Sequence, residues 1–469
     1  MVIDAPSNQS PSNQTPPSAT SLSAALRRRR ERLAQRYDAP VALWSGGPVP
    51  RNFPANRYPF RASSHFLYFA GLPLRDAVIL LQQGRLSLFM DEAPADSELW
   101  HGRAPSRDEI AAAMGADGAY PLSALPQHLP PKVATLGPRP LKPEQAIALG
   151  RPVDSAPTAA DQALAAAVVQ LRLTHDEHAL AEIRRAAGVT VEAHLAGMAY
   201  TRNAARESDV RSAMERVILR HDMTTAYNSI VTVHGEVLHN ERYANPLTDG
   251  DLLLADVGAE AESGWASDVT RTWPVSGTFS RTQREIYEVV LAAHDGAIAA
   301  VKPGVEYRDI HWRACRILTE GLVDLGILAG SVDALLEQDA HALFFPHGVG
   351  HLLGLDVHDM EDLGDLAGYA PGRSRSPRFG LGYLRLNRPL QAGMMVTIEP
   401  GFYQVPAILN DPQRRSRYGD MVNWARLAQF ADVRGIRIED DVLVTSAGAE
   451  TLTAALPTAA AAVEALVAG

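Results

Sequence analysis

Two aspartates flank a turn-like sequence in a segment that has the pattern of a β-hairpin. Asp256 and Asp268 lie six residues before and after Glu262 in LLLADVGAEAESGWASDVTRTWPV, residues 252–275. We expect a hairpin centred on Glu262 to place the two carboxylates opposite each other on one face. Bare carboxylates in that arrangement repel each other, which leaves three alternatives: a cation lies between them, one is protonated, or both face water.

Two further acidic residues and three histidines lie in apolar surroundings. Glu399 is in MMVTIEPGFY and Glu439 is in GIRIEDDVLVT, so each puts a charge inside a β-like run. The stretch PHGVGHLLGLDVHD, residues 346–359, contains His347, His351 and His358. A single histidine in such a run is most often a hydrogen-bonded core residue. Three histidines in one glycine-punctuated stretch favour a metal or proton-transfer site.

Five of these side chains form a candidate set of metal ligands. The set is Asp256, Asp268, His351, Glu399 and Glu439. Its four carboxylates would carry four negative charges, which two divalent ions would balance. Ligation by many oxygens and one imidazole suits Mn²⁺, with Co²⁺, Zn²⁺ or Fe²⁺ as alternatives. We therefore predict two divalent metal ions per subunit, most favourably Mn²⁺.

The composition excludes other classes of partner and site. The chain has 469 residues, a net charge of −10 and no basic stripe, so we expect no nucleic-acid partner. No apolar run reaches the roughly 20 residues of a membrane-spanning helix, so we expect no membrane partner. Cys315 is the one cysteine, which rules out an internal disulfide and a thiol-rich metal site and fits a cytoplasmic location.

The chain divides into a tail and two domains. Residues 1–22 are rich in Ser, Pro, Asn and Gln, which predicts a disordered tail. In residues 23–160, short apolar strands alternate with helix-like stretches, which predicts an α/β domain. Residues 161–469 form the second domain, and it contains a faint internal repeat at an offset of 100 residues, starting at Glu192 and at Ala292. The repeat predicts two related halves about a pseudo-axis, with a site between them.

The motifs together resemble a known family. The segments HGVGHLLGLDVHD, DVGAE, SDVTRTWPV, TIEPGFY and GIRIEDD resemble the pita-bread metallopeptidases, which include aminopeptidase P, prolidase, methionyl aminopeptidase and creatinase. The resemblance runs from about Leu171 to the C-terminus. RNFPANRYPFRASSHFLYFAG and SELWHGR are similar to the amino-terminal domain of aminopeptidase P. The implied fold is of the α/β (α+β) class: an amino-terminal α/β domain followed by a pseudo-symmetric pita-bread (creatinase/aminopeptidase) catalytic domain.

The resemblance also implies roles for residues around the ligand set. Glu399 would be the general base as well as a ligand. His358 and His239 would polarise the scissile carbonyl or orient the substrate, and His347 would line the pocket beside the reacting bond. Arg437 would neutralise nearby carboxylates. Without the resemblance, His239 is an ordinary exposed loop histidine.

Three further residues are implied to bind the substrate. Tyr403 would form part of the wall that holds the proline ring. Trp100 would reach the site of a neighbouring subunit in a homodimer or homotetramer, although a surface-packed aromatic is an equal alternative. Arg385, fourteen residues before Glu399, matches a prolidase arginine that grips the terminal carboxylate of a dipeptide, and its alternative is a surface ion pair.

The implied function is a metal-dependent Xaa-Pro exopeptidase that acts on short proline-containing peptides with a free amino terminus. Arg385 and the 39 residues between Glu399 and Glu439 favour an Xaa-Pro dipeptidase (prolidase) by a narrow margin, because we expect a loop of this length to lie over the pocket and to obstruct the third substrate residue. The amino-terminal domain and AAVKPGVEYRDIH fit the alternative, an Xaa-Pro aminopeptidase (aminopeptidase P) that acts on longer peptides. A non-catalytic pita-bread binding scaffold and a creatinase-like, metal-free hydrolase are more remote, because all five ligand positions are intact.

Overall fold

The structure is a computed structural model that describes residues 19–137 and 140–469. Residues 1–18 of the predicted tail therefore lie outside the described residues. Residues 19–22 belong to helix α1, Ala19–Ala34, so this helix begins four residues before the predicted start of the first domain. Within the described ranges, no helix is both long enough and apolar enough to cross a bilayer.

The first part of the chain folds as a small mixed sheet with helices around it. Strands β1, β4, β5 and β6 pair in the order β1-β4-β5-β6, antiparallel except for the parallel pair β5–β6. The elements are α1 (Ala19–Ala34), β1 (Val41–Trp44), β2 (Pro50–Phe53), β3 (Asn56–Arg57), α2 (Ser64–Ala70), β4 (Val78–Gln82), β5 (Arg85–Phe89), α3 (Glu98–His101), α4 (Arg107–Met114), β6 (Gly118–Tyr120), α5 (Leu125–His128) and α6 (Pro143–Leu149).

Strand β4 is apolar without alternation because both of its faces are covered. Ile79 and Leu81 pack into a core that continues into the second part of the chain. Val78 and Leu80 point the other way, into a smaller cluster with Leu125. A strand buried on both faces reads as a continuous apolar run, which is why this segment was recognisable as a strand from its sequence.

The second part of the chain contains four small sheets and several long helices. Its sheets are β8–β9–β11, β12–β15–β16, β13–β14 and β7–β10. The elements are α7 (Ala159–Arg172), α8 (Glu177–Tyr200), α9 (Glu207–Arg220), β7 (Thr224–Thr225), β8 (Ile230–Thr232), β9 (Leu252–Asp256), β10 (Ala259–Glu260), β11 (Thr270–Pro274), α10 (Arg281–Ile298), α11 (Tyr307–Asp324), α12 (Val332–Glu337), α13 (Asp365–Gly368), β12 (Met395–Ile398), β13 (Gly401–Tyr403), α14 (Pro406–Leu409), α15 (Pro412–Arg417), α16 (Trp424–Leu427), β14 (Gly435–Arg437), β15 (Asp440–Val444), β16 (Ala449–Thr451) and α17 (Ala460–Ala468).

The internal repeat corresponds to two packed helix pairs, α8–α9 and α10–α11. His194 of α8 contacts the carbonyl of Val257, immediately after β9, at 3.0 Å. Its counterpart His294 of α10 lies 3.0 Å from the carboxylate of Asp440, the first residue of β15. Each helix pair therefore contacts the residue that follows a candidate metal ligand, which is Asp256 in one half and Glu439 in the other.

The hairpin that carries the two aspartates has a different register from the predicted one. Strands β9 and β11 are antiparallel, but Asp256 pairs with Thr270 and not with Asp268. The turn is centred on Ser263, with Ala261 N donating to Trp265 O and Gly264 at φ +89°. Because Gly264 takes the left-handed conformation at the end of the turn, the pairing shifts by two residues and the aspartates lie diagonally on one face.

The two parts of the chain are joined by polar contacts as well as by apolar packing. Arg172 of α7, which is 2 % exposed, lies 2.6 Å from the carboxylate of Asp359 and 3.1 Å from His65 Nδ1 in α2. Arg61 contacts the carboxylate of Glu260 at 2.7 Å. Helix α2 and the PHGVGHLLGLDVHD segment are consequently linked through Arg172, which contacts both His65 and Asp359, one residue beyond His358.

Candidate metal centre

The predicted site residues meet in a cleft of about 410 Å³ between the strands of the two halves. Ten of them line it: His239, Asp256, Asp268, His347, His351, His358, Arg385, Glu399, Arg437 and Glu439. The remaining walls are apolar or aromatic and come from Leu238, Pro346, Tyr383, Val405 and Ile408. A cleft that combines apolar walls with converging ionisable groups is the usual form of a ligand-binding site.

The carboxylates converge because each stands at the end of a short buried strand. Asp256 ends β9, and Asp268 lies two residues before β11. Glu399 follows β12, and Glu439 lies between β14 and β15 with its backbone N–H bonded to Thr270 O at 3.0 Å. Buried strands thus hold the backbone rigid, while the charges are kept to the strand ends that face the cleft.

The histidine segment runs beside β12 at very short distance. His351 N donates to Thr397 Oγ1 at 3.1 Å, and Thr397 N donates to His351 O at 3.0 Å. Gly350 has φ +154°, and a Cβ there would collide with Thr397 O and with the Tyr307 hydroxyl. The glycines of PHGVGH therefore allow the close backbone approach that brings His351 to the carboxylates.

Three ligand groups form the tightest cluster among the described residues. Suitable atoms of Asp268, His351 and Glu439 all lie within 4.8 Å of one another. Glu399 joins them through Oε1, which is 3.5 Å from His351 Nε2. Asp256 is linked to Asp268 through the Tyr227 hydroxyl, which lies 2.5 Å from Asp268 Oδ1 and also contacts Asp256 Oδ1.

The electrostatics of this cluster call for additional positive charge. Burial raises the pKa of all four carboxylates, to about 8 for Glu399 and well above its usual range for Glu439. The negative charges of the neighbouring carboxylates raise the pKa of Glu439 further. Arg437 contacts Asp256 Oδ2 at 2.6 Å, but one guanidinium does not offset four carboxylates. Metal cations in the cluster would supply the missing charge, so the residues fit a metal centre.

The state of His351 also suits a metal ligand. Its Nδ1 donates to Leu352 O at 3.0 Å, which leaves Nε2 facing Asp268 and Glu399. Burial lowers the pKa of His351 to about 4, so the imidazole is neutral near pH 7. A neutral ring whose far nitrogen is fixed by a carbonyl is the form in which histidine binds metals.

Tyr403 lies behind the cleft wall and is absent from its lining. The residue is fully buried, and its hydroxyl donates to His347 Nε2 at 2.9 Å and accepts from Arg437 Nη1 at 3.0 Å. His347 Nδ1 donates to Gly348 O at 2.8 Å, so both ring nitrogens of His347 already have partners. In this arrangement Tyr403 positions His347 and Arg437, and the apolar wall is formed by other residues.

Of the remaining predicted residues, one lies in the cleft, one at its exposed margin and one outside it. His358 lies in the cleft with its ring centroid 4.3 Å from that of His351. His239 is exposed at the cleft margin, and partial desolvation of its ring and the nearby charge of Arg437 lower its pKa. Trp100 is on helix α3, 74 % exposed and outside the cleft lining.

Three residues of the site were not anticipated from the sequence. Tyr227 contacts both aspartates, and Thr270 Oγ1 donates to Glu439 Oε2 at 2.6 Å. Glu361 lies 2.6 Å from His358 Nδ1. Tyr227 and Thr270 carry no local signal, because tertiary pairing brings them to the site. Glu361 had a usable one: it follows His358 by three residues, the spacing at which side chains meet across a turn.

Buried carboxylates and a neutral imidazole that converge at strand ends in a cleft define a metal-dependent enzyme. Comparisons with known proteins then identify its family. The family described as "Metallopeptidase family M24" matches residues 181–446, and "Aminopeptidase P, N-terminal domain" matches residues 26–137. The chain belongs to the M24 metallopeptidases, the pita-bread family, and carries an aminopeptidase P amino-terminal domain. The predicted family, fold class and enzyme class are thereby confirmed.

Similar proteins named as Xaa-Pro aminopeptidases or aminopeptidase P match most of the chain. An Xaa-Pro aminopeptidase of Haemophilus influenzae is 33% identical over 419 residues, which cover 85% of this chain and 86% of the relative. The Escherichia coli Xaa-Pro aminopeptidase is 32% identical over 92% of this chain and 94% of its own. The structure of E. coli aminopeptidase P with the inhibitor Pro-Leu superposes with a TM-score of 0.77 at 29% identity, over 95% of this chain and 98% of that one. Pseudomonas aeruginosa aminopeptidase PepP gives 0.76 at 30% identity, with the same coverage.

Loss of a ligand should reduce both metal content and activity. We expect Asp268→Asn and His351→Ala to lower bound metal, measured by elemental analysis of the purified protein, and to lower turnover of a proline-containing peptide by on the order of 100-fold. Asp295→Asn and His221→Ala are matched controls, because these side chains lie outside the cleft lining. Parental metal content and turnover in both ligand variants would rule out this metal centre.

Proposed function

We propose that this protein is an Xaa-Pro aminopeptidase, which releases the first residue of a peptide whose second residue is proline. The observation that carries the proposal is the combination of an M24 catalytic domain and an aminopeptidase P amino-terminal domain in one chain with an intact ligand set. Relatives that match 84–92% of the chain are named Xaa-Pro aminopeptidases or probable Xaa-Pro aminopeptidases. These comparisons favour the aminopeptidase over the dipeptidase that the sequence motifs favoured.

The long excursion between Glu399 and Glu439 also argues against a dipeptidase. It was expected to lie over the pocket and to obstruct the third substrate residue. Instead, its later part, between α15 and α16, pairs with the segment that follows α11, where Ala329 N donates to Met421 O and Asn423 N donates to Ile327 O, both at 2.9 Å. Its contributions to the cleft lining are Val405 and Ile408. Because the excursion reaches the cleft lining through these two residues, it is compatible with a longer peptide.

Arg385, the other prolidase-like feature, lines the cleft but already has an acidic partner. Its Nε lies 3.2 Å from Glu361 Oε1. The guanidinium charge is therefore compensated before any substrate arrives. A compensated arginine has less to gain from a terminal carboxylate than an unpaired one, while it can still donate hydrogen bonds to a peptide carbonyl.

We further propose that the cluster holds two divalent ions per subunit, with Mn²⁺ favoured by the oxygen-rich donor set. Asp256, Asp268, His351, Glu399 and Glu439 would hold them. Ions bound there would supply Lewis-acid activation of water and of the scissile carbonyl, together with an anchor for the free amino group.

Glu399 is proposed as the group that accepts the proton of the attacking water. Its side chain is 16 % exposed at the edge of the ligand cluster, so water from the cleft can reach it. Burial raises its pKa to about 8 when the cluster holds no cations, and divalent ions bound beside it would lower that pKa and keep the carboxylate ionised, the form that accepts a proton. The same carboxyl can then return the proton to the departing proline nitrogen.

His358 and the apolar wall would position the substrate. Glu361 binds His358 Nδ1, so His358 Nε2 is the nitrogen available to the substrate carbonyl. The proline ring would pack against Val405, Ile408 and Leu238, which line the cleft. Trp100 is exposed on α3 and remains a candidate for contact with a neighbouring subunit in a homodimer or homotetramer.

Replacing Glu399 by Gln should separate metal binding from chemistry. We expect Glu399→Gln to retain substantial metal, because an amide oxygen can remain as a weak ligand, and to lose about 10²–10⁴-fold in turnover. The measurement is kcat on an Xaa-Pro peptide, with metal content determined on the same sample. A fall of less than severalfold at near-parental metal content would show that another group accepts the proton.

The proposed specificity is tested with three peptides that share a first residue. We expect Ala-Pro-Ala to be cleaved faster than Ala-Pro, and Ala-Ala-Ala to be cleaved poorly, when kcat/KM is compared on metal-loaded protein. N-acetylated Ala-Pro-Ala is the control for the free amino terminus and should not be cleaved. A higher kcat/KM for Ala-Pro than for Ala-Pro-Ala would indicate an Xaa-Pro dipeptidase instead. Equal hydrolysis of Ala-Ala-Ala would contradict proline specificity.

A further inference from the structure

The carboxylate of Glu361 contacts two polar residues of the metal cleft but is not itself part of the cleft lining. Glu361 Oε2 lies 2.6 Å from His358 Nδ1, and Glu361 Oε1 lies 3.2 Å from Arg385 Nε. His358 and Arg385 line the cleft, whereas Glu361 is absent from its lining. Glu361 therefore acts on the substrate-facing groups from outside the cleft.

Glu361 keeps its negative charge because its neighbours favour the ionised carboxylate. The hydrogen bond from His358 and the positive charge of Arg385 lower the pKa of Glu361 to about 2, so the carboxylate is ionised throughout the neutral range. The hydrogen bond that Arg385 makes within the described ranges uses Nε. Its two terminal nitrogens therefore remain as donors for a substrate, next to a permanent negative charge.

We infer that Glu361 is a specificity-determining residue that disfavours a substrate carboxylate beside Arg385. This inference rests on the proposed function and adds a cause for its preference for longer peptides. A dipeptide would bring its terminal carboxylate to Arg385 and so towards Glu361, where like charges repel. A longer peptide brings an uncharged amide to the same place, and its carbonyl accepts a hydrogen bond from the guanidinium without that repulsion.

The contact with His358 has a different and separable effect. By fixing His358, Glu361 influences the reaction at the scissile bond, and that bond is the same in a dipeptide and in a longer peptide. Loss of this positioning therefore changes both substrates in the same proportion. The ratio of the two kcat/KM values consequently reports on the Arg385 contact and not on the general integrity of the site.

The test replaces Glu361 by Gln, which keeps an oxygen for His358 and removes the charge. We expect the ratio of kcat/KM for Ala-Pro to that for Ala-Pro-Ala to rise about tenfold over the parent, mainly through a lower KM for the dipeptide. Asp365→Asn is the matched control: Asp365 is a nearby carboxylate paired with Arg375 at 2.7 Å, and its loss should leave the ratio unchanged.

A double variant identifies the route of the effect. Adding Arg385→Gln to Glu361→Gln should return the ratio to near the parental value, because the guanidinium that binds the dipeptide carboxylate is gone. An unchanged or lower ratio in Glu361→Gln at parental metal content would overturn the inference, and so would a gain that persists in the double variant. A parent that already prefers Ala-Pro contradicts the proposed function separately, and the change of ratio in the variants still decides the role of Glu361.

Discussion

The fold is organised around four carboxylates that are buried together and cannot remain uncompensated. Asp256, Asp268, Glu399 and Glu439 face one cleft, and burial raises the pKa of each. Arg437 offsets part of the charge through Asp256. The rest has to come from bound cations or from protonation, and His351, held neutral with Nε2 towards the cluster, favours cations. Bound cations would thus stabilise this core as well as supply the chemistry proposed for it.

Many other features follow from the need to hold charged groups together in a buried place. Strands from the two halves end at the cluster, so each carboxylate lies at the end of a rigid, apolar strand. His194 and His294 contact the residues that follow Asp256 and Glu439, one in each half. Tyr403, behind the cleft wall, hydrogen-bonds to His347 and Arg437, which line the cleft. The amino-terminal domain is linked to the same region because His65 contacts Arg172, which pairs with Asp359 beside His358.

Sequence reasoning succeeded where residue type and local pattern carry the information. Acidic residues inside apolar runs of sequence, such as Glu399 and Glu439, are anomalous because burying a charge is costly, and the structure brings them to one cleft. The repeat at 100 residues corresponds to two helix pairs for a similar reason, since amphipathic periodicity is local. The family followed from motifs of the same kind.

Sequence reasoning failed where the position of a residue depends on turn geometry or on contacts between distant parts of the chain. The predicted hairpin register was wrong by two residues, because the left-handed conformation of Gly264 places the centre of the turn at Ser263 and not at Glu262. The excursion after Glu399 was expected over the cleft, but backbone pairing with Ile327 and Ala329 places most of it elsewhere. Tyr227 reaches Asp256 across 29 positions, with no pattern that would mark it.

A metal titration shows whether this cluster binds the two divalent cations proposed for it. Protein stripped of metal is titrated with Mn²⁺ in a calorimeter, and its melting temperature is followed across the same titration. We expect two ions bound per chain and a rise in melting temperature as they bind, because ligands that bind the folded state stabilise it. Fewer than two bound ions, or binding without any gain in melting temperature, would refute the two-ion proposal.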